Sequence, residues 1–227
     1  MAPRVGVLVF PGSNCEHDAL KALRGLGAEA ELLWHRDTDL SAFDMVIIPG
    51  GFAHGDYLRP GAIARFSPVM DAVADFAAKG YPVLGICNGF QVLCESGMLP
   101  GALQKNAGLS FICAPCELEV ASTTSVLSQG LSLGSKLSVP INHFSGSYVC
   151  DDGTLARLRD DDRIVLRYVD NPNGSVDSIA GISNEAGNVV GLMPHPERAC
   201  DPLLGSVDGA LLLSAFLGAE LRAPAHS

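Results

Sequence analysis

The chain has no run of about 20 apolar residues, so no segment is long enough to cross a bilayer as a helix. Its longest uncharged stretches, Gly80–Cys94 and Gly209–Ala219, both stop short. The apolar run near the start, Val5–Phe10, is shorter than a signal-peptide core of about 7–15 residues. It ends in Pro11-Gly12-Ser13-Asn14 rather than at a small-residue cleavage site. Basic residues are few: 15 Lys and Arg against 25 Asp and Glu leave a net charge of −10. That is the wrong sign for recognition through phosphates, so no nucleic-acid partner is expected. Neither G-x-x-x-x-G-K-[ST] nor G-x-G-x-x-G occurs, so no nucleotide-phosphate cradle is expected. The seven cysteines are odd in number and irregularly spaced, which suits a reducing compartment better than a disulfide framework. Internal repeats and low-complexity blocks are also missing. Together these absences lead to the expectation of a cytoplasmic protein with no membrane or nucleic-acid partner.

What is present is core-forming. The 227 residues are 48% hydrophobic and 18% charged, which promises a sizeable buried core and excludes wholesale disorder. Val5–Phe10 is an apolar, β-branched run of the kind buried on both faces of a sheet. Ser13 or Asn14 is placed to cap the helix that follows, with Leu20, Leu23 and Leu26 on one stripe and Gly27 as its stop. Strands are expected at Glu29–Trp34 and Met45–Pro49, an alanine-rich helix between Pro68 and Lys79, and a fourth strand at Pro82–Ile86. Strands alternating with helices imply a parallel sheet covered on both faces. The second half reads differently. Phe111–Val120, Arg163–Val169, Ile179–Ser183 and Val189–Met193 are strand-like, with no helix evident between them. A helix is expected at about Val207–Leu221, a frayed tail at Ala223–Ser227, and a long loop over Ala121–Ser138. Strand-like sequence resumes on either side of that loop, so the expectation is a single domain, 1–227.

The strongest local signal is Gly85-Ile86-Cys87-Asn88-Gly89, where an apolar strand delivers a cysteine flanked by glycines and Phe90–Glu95 begins a helix. This is the G-x-nucleophile-x-G elbow with Cys in place of Ser. A thiol at a helix N-terminus feels the partial positive charge there, which favours the thiolate. Taken alone, the pentapeptide fits a buried structural cysteine equally well. A second group, Met193-Pro194-His195-Pro196-Glu197-Arg198, ends an apolar strand. If extended, it points His195 and Glu197 to one side, a base with its orienting carboxylate. Elbow and His-x-Glu together favour a Cys–His–Glu nucleophilic site, with the sulfur and a ring nitrogen within about hydrogen-bonding reach. A third element, Pro49-Gly50-Gly51-Phe52-Ala53-His54-Gly55-Asp56, follows the third strand. The backbone N–H groups of Gly51 and Asn88 could form an oxyanion hole, although a plain β-turn explains these residues as well.

Other motifs weigh less. Cys113-Ala114-Pro115-Cys116 lies inside a strand-like segment, whereas a thioredoxin-type pair would open a helix; a zinc site lacks a second ligand pair, so no metal site is expected. His17, His35 and His54 are isolated, and Asp160-Asp161-Asp162 reads as a solvated turn.

These motifs resemble the class I, triad-type glutamine amidotransferases, and within them the family of glutaminase subunits of phosphoribosylformylglycinamidine synthase. The general signature is Gly85–Gln91 with the later His195 and Glu197; the narrower one includes Pro11–Cys15, Gly50–Arg59, Asn171–Ser175, Ile179–Ile182 and Met193–Arg198. The resemblance implies an α/β fold: a central, mostly parallel sheet with helices on both faces and an additional β-rich region in the second half. It implies that Cys87 forms a glutamyl thioester, that Gly51 and Asn88 hold the oxyanion, that Gln91 helps fix the substrate glutamine, and that His195, oriented by Glu197, shuttles the proton. It further implies no cofactor in this chain, and a synthetase partner subunit, in some organisms with a third small subunit, that uses ATP and Mg²⁺ to consume the ammonia. One loop departs: where the family shows His-Gly-Glu-Gly before a Tyr, this chain has His143-Phe144-Ser145-Gly146-Ser147-Tyr148. The alternatives are another cysteine-elbow α/β hydrolase, or an inactive scaffold subunit of a synthetase.

Overall fold

The computed structural model of the chain describes residues 2–218. Its elements are β1 (Arg4–Val9), α1 (Glu16–Gly25), β2 (Glu29–Trp34), β3 (Met45–Ile48), α2 (Pro68–Ala78), β4 (Val83–Ile86), α3 (Asn88–Glu95), β5 (Ala102–Lys105) and β6 (Ile112–Val120). They continue with β7 (Lys136–His143), β8 (Ser145–Val149), α4 (Asp152–Asp160), β9 (Ile164–Tyr168), β10 (Ile179–Ser183), β11 (Val189–Leu192) and α5 (Asp208–Phe216). Nine strands form one sheet in the order β2-β1-β3-β4-β11-β10-β9-β6-β7, and β5 pairs with β8 in a separate two-stranded sheet. From β2 through β11 every neighbouring pair is parallel; from β11 to β7 every pair is antiparallel. The β-rich second half is therefore an extension of the same sheet.

Burial follows this division. In β3 and β4 every residue is buried, as expected where helices cover both faces of parallel strands. Along the first six residues of β6 partly buried and exposed positions alternate, and one face is wet. Leu23 of α1 and Phe90 of α3 are fully buried, where their helices pack onto the parallel half.

The structure corrects several expectations. Ser13 and Asn14 do not cap α1: the Ser13 hydroxyl accepts from the Phe10 N–H at 3.0 Å, Asn14 Oδ1 accepts from the Cys15 thiol at 3.1 Å, and Cys15 itself holds the cap position. A helix, α4, does lie among the later strands. It is capped by Asp151, whose side chain accepts from the Thr154 N–H at 2.9 Å, and it buries Thr154 and Leu158 and packs Leu155 against the core on a mostly polar helix. The stretch Ala121–Ser138 is a loop only to Ser135, because β7 starts at Lys136. The last helix ends at Phe216; the remainder of the expected helix beyond residue 218, and the tail 223–227, lie outside the described residues.

Candidate active site

Three adjacent strands of the parallel half end at one edge of the sheet and deliver the site. In the β4–β11 ladder Leu192 lies opposite Ile86, and in the β3–β4 ladder Ile48 lies opposite Gly85. The residues that follow these three strand ends, Cys87, Met193-Pro194-His195 and Pro49-Gly50-Gly51, therefore leave the sheet side by side. The Cys87 N–H donates to the Leu192 carbonyl at 2.8 Å, extending the β4–β11 ladder to Cys87 itself.

Cys87 caps α3 with φ 51° and ψ −105°, a conformation that costs about 1–3 kcal/mol for a residue with a side chain. The elbow glycines permit it by close approach. A Cβ on Gly89 would lie 1.9 Å from the Ile48 carbonyl oxygen, so α3 touches β3 through bare backbone. Gly50 has the same use at the site: its Cβ would lie 2.8 Å from His195 Cε1, 3.1 Å from Cys15 Sγ and 3.5 Å from Cys87 Cβ.

His195 and Glu197 are both buried, and His195 Nδ1 lies 2.6 Å from Glu197 Oε1. They do not meet as an extended segment would bring them together. Pro196–Arg198 is a 3-10 turn, and it is this turn that folds the carboxylate back onto the ring. The His195 N–H donates to the Pro140 carbonyl of β7 at 2.8 Å, which fixes the turn from across the sheet. Burial by itself lowers the basicity of the imidazole; the Glu197 carboxylate, the Cys87 sulfur and the Cys15 sulfur outweigh it and hold the group well above the ordinary histidine value. Nε2 has no partner among the described residues, and His195 and Cys87 line one cavity of about 260 Å³.

Gly51 lines that cavity, and Asn88 directly follows Cys87, which lines it too. Among the described residues neither donates its backbone N–H to a protein acceptor, so both remain available to an anion. The Asn88 side chain is committed elsewhere: Oδ1 accepts from the Ala53 N–H at 2.9 Å, and Nδ2 donates to Gln91 Oε1 at 2.8 Å and to Asp56 Oδ1 at 3.2 Å. Gln91 lines the cavity, but its amide is also occupied, accepting from Asn88 and donating to the Ser145 carbonyl at 2.7 Å. It thereby ties α3 to the start of β8, within the segment that departs from the family pattern and that the structure shows to be the β7–β8 junction rather than a loop. At the end of β7 burial pushes His143 down to about 4, keeping it neutral, and its Nδ1 meets Asn106 Oδ1 at 3.0 Å.

Sequence reasoning missed Cys15. Its sulfur lies within 4.8 Å of ligand atoms of His195 and Glu197, a soft donor set, yet Arg198 Nη2 donates to that sulfur at 3.2 Å. A guanidinium in that position makes the cluster a poor cation site. The set-aside motifs stay apart from the cavity. Cys113 is exposed, and burial pushes the Cys116 thiol up to about 12 as it donates to the Val139 carbonyl. His35 and His54 share the Ser67 hydroxyl at 3.2 and 3.3 Å. Asp160 and Asp161 close α4 in solvent, and Asp162 accepts from the Ser122 hydroxyl at 3.0 Å.

A mixed sheet whose parallel edge presents a strained Cys, a buried His–Glu pair and a glycine loop is built for nucleophilic chemistry at sulfur, and the comparisons with known proteins give its class. The family model described as a CobB/CobQ-like glutamine amidotransferase domain matches residues 2–208. The chain is 55% identical over 219 residues to the phosphoribosylformylglycinamidine synthase subunit PurQ of Rubrobacter xylanophilus, covering 96% of this chain and 100% of that protein. It is 57% identical over 215 residues to the subunit of the same name from Synechococcus sp. (strain CC9605), covering 94% and 99%. A chain in the structure of PurLQS from Thermotoga maritima superposes with a TM-score of 0.89 at 43% identity, covering 96% of this chain and 99% of that one. The chain belongs to the family of glutamine amidotransferase subunits of phosphoribosylformylglycinamidine synthase. Among the described residues no helix is long and apolar enough to cross a membrane.

Proposed function

We propose that Cys87, His195 and Glu197 hydrolyse glutamine in this chain and that the ammonia passes to a synthetase subunit. That subunit would convert formylglycinamide ribonucleotide to formylglycinamidine ribonucleotide in purine biosynthesis. The supporting observation is the β4–β11 register, which sets the nucleophile and an imidazole with an unpartnered Nε2 at one sheet edge. Cys87 sulfur attacks the carboxamide carbon, and the charge on its oxygen is taken by the Gly51 and Asn88 N–H groups. His195, held protonated by Glu197, gives its proton to the departing nitrogen; the C–N bond breaks and a glutamyl thioester remains. Water then attacks the thioester as His195 takes its proton. The C–S bond breaks, releasing glutamate and returning the sulfur to its starting state. Gln91 acts by fixing Asn88 and the Ser145 carbonyl.

A partner follows from the chemistry. Ammonia released into water is protonated and loses its nucleophilic lone pair, so it needs a closed route to its acceptor. Activating that acceptor requires ATP and Mg²⁺, which this reading assigns to the synthetase subunit, with no cofactor in this chain and a cytoplasmic setting for the complex. Exposed Phe52, Tyr57 and Leu58, on the loop beside the cavity, offer an apolar rim for that subunit, and a third small subunit completes the assembly in some organisms. The test is glutamate release by the assembled complex with Cys87→Ala, His195→Ala and Glu197→Ala. Each is expected to lose at least about 100-fold; full activity in the Glu197 variant refutes the triad and favours a different cysteine hydrolase. An electrophilic glutamine analogue should label Cys87 stoichiometrically, and no labelling in the complex would mean an inactive scaffold.

A further inference from the structure

Glutamine presents a carboxamide at one end and a zwitterion at the other, and the catalytic groups account only for the carboxamide. Among the described residues lining the cavity, Asp56 is the only carboxylate and Lys105 the only lysine or arginine. Neither has an ion-pair partner among the described residues. Lys105 Nζ lies 5.9 Å above the ring of Phe144, itself a lining residue. Asp56 is held in place: Oδ1 accepts from Asn88 Nδ2 at 3.2 Å, and Asn88 is the residue proposed above to take the oxyanion with its backbone N–H.

The backbone around Asp56 is bent to achieve this. His54, Gly55 and Asp56 have φ of 53°, 71° and 52°, three successive residues in the left-handed region. Such conformations cost about 1–3 kcal/mol each for residues with a side chain and persist where a site needs them. Burial without a cation to offset it pushes the Asp56 carboxyl up to about 6. A half-buried carboxylate that faces a substrate cavity and lacks a counter-ion fits a ligand that brings one.

We infer that Asp56 binds the α-ammonium of the substrate glutamine and Lys105 its α-carboxylate, so that the two charges select a free amino acid over other primary amides. This rests on the glutaminase reading above and extends it to specificity. Asn88 then reads both ends of the substrate, its N–H taking the oxyanion and its side chain holding the carboxylate that meets the ammonium.

Two truncated amides separate the charges: glutaramate, which lacks the α-amino group, and 4-aminobutanamide, which lacks the α-carboxylate. With the assembled complex, Asp56→Asn should raise KM for glutamine about 10- to 100-fold, the loss of one charge-assisted hydrogen bond, and leave kcat/KM for glutaramate unchanged. Lys105→Met should raise KM for glutamine and leave 4-aminobutanamide unchanged. If Asp56→Asn does not assemble, Asp56→Ser gives the same comparison without the amide. An equal fall with glutamine and glutaramate, carried by kcat, would show that Asp56 acts only through Asn88 and would overturn the inference; so would an unchanged KM for glutamine. Failure of the glutaminase reading looks different, since the wild-type complex would then release no glutamate at all.

Discussion

Replacing Glu197 by glutamine changes one atom of the site, and the structure shows why that atom matters. Glu197 Oε1 lies 2.6 Å from His195 Nδ1, while Oε2 is buried with no hydrogen-bond partner. An amide must put its NH₂ at one of these two places. In the Oε2 position it is an unpaired buried donor, which costs about 1–3 kcal/mol. In the Oε1 position it donates to Nδ1, forces the ring proton onto Nε2, and turns towards Cys87 a nitrogen that can no longer accept a proton. Either arrangement also removes the negative charge that holds His195 protonated against its burial. The leaving nitrogen loses its acid or the sulfur loses its base, and the expected fall in kcat is about 10²–10⁴. KM for glutamine should change little, because Glu197 makes no contact with the cavity. The lost charge-assisted bond, about 1.5–3 kcal/mol, should lower the melting temperature of the chain by roughly 3–12 °C. Glutamate release by the complex with its synthetase, followed across pH, is the assay. More than a tenth of wild-type kcat in Glu197→Gln, with the fold intact, would refute the orienting role.

Other outcomes follow from the same geometry. Cys87→Ala should abolish glutamine-dependent synthesis, by more than about 10³-fold, and spare synthesis from added ammonium salts; loss of both would point to a structural role for the elbow cysteine. Gly89→Ala places a Cβ 1.9 Å from the Ile48 carbonyl, so α3 must shift and stability should fall by about 1–3 kcal/mol or more in chemical denaturation. Glutaminase activity should fall with it, since a shift of about 1 Å at a reacting centre costs about 100-fold. Asp56 gives a pH signature in stability. The native carboxyl, pushed up to about 6, holds its proton more tightly than the unfolded one at 3.8, so protonation favours the fold. Wild type should therefore gain stability relative to Asp56→Asn as pH falls from 6 towards 3.8. A stability of wild type relative to Asp56→Asn that stays constant or falls as the pH drops through that window would contradict the burial of this carboxylate.

Local sequence determined the candidate catalytic groups and most of the local structure. Runs such as Met45–Ile48 and Val83–Ile86 are apolar throughout because both faces of a parallel sheet are covered, and that pattern is readable without coordinates. The elbow was legible because no residue but glycine fits where α3 meets β3, and His195 with Glu197 because their spacing is local. α4 was obscured by its polarity, although the Asp151 cap and Leu158 marked it. Tertiary structure alone decided the rest. That β11 lies against β4, bringing residues more than a hundred positions apart to one sheet edge, depends on pairing energies no short segment contains. The same holds for the turn that joins Glu197 to His195 under the Pro140 carbonyl, and for the place of Cys15 beside that pair. The charged residues of the cavity, Asp56 in the turn after β3 and Lys105 at the end of β5, acquire meaning only when the fold closes one space around both.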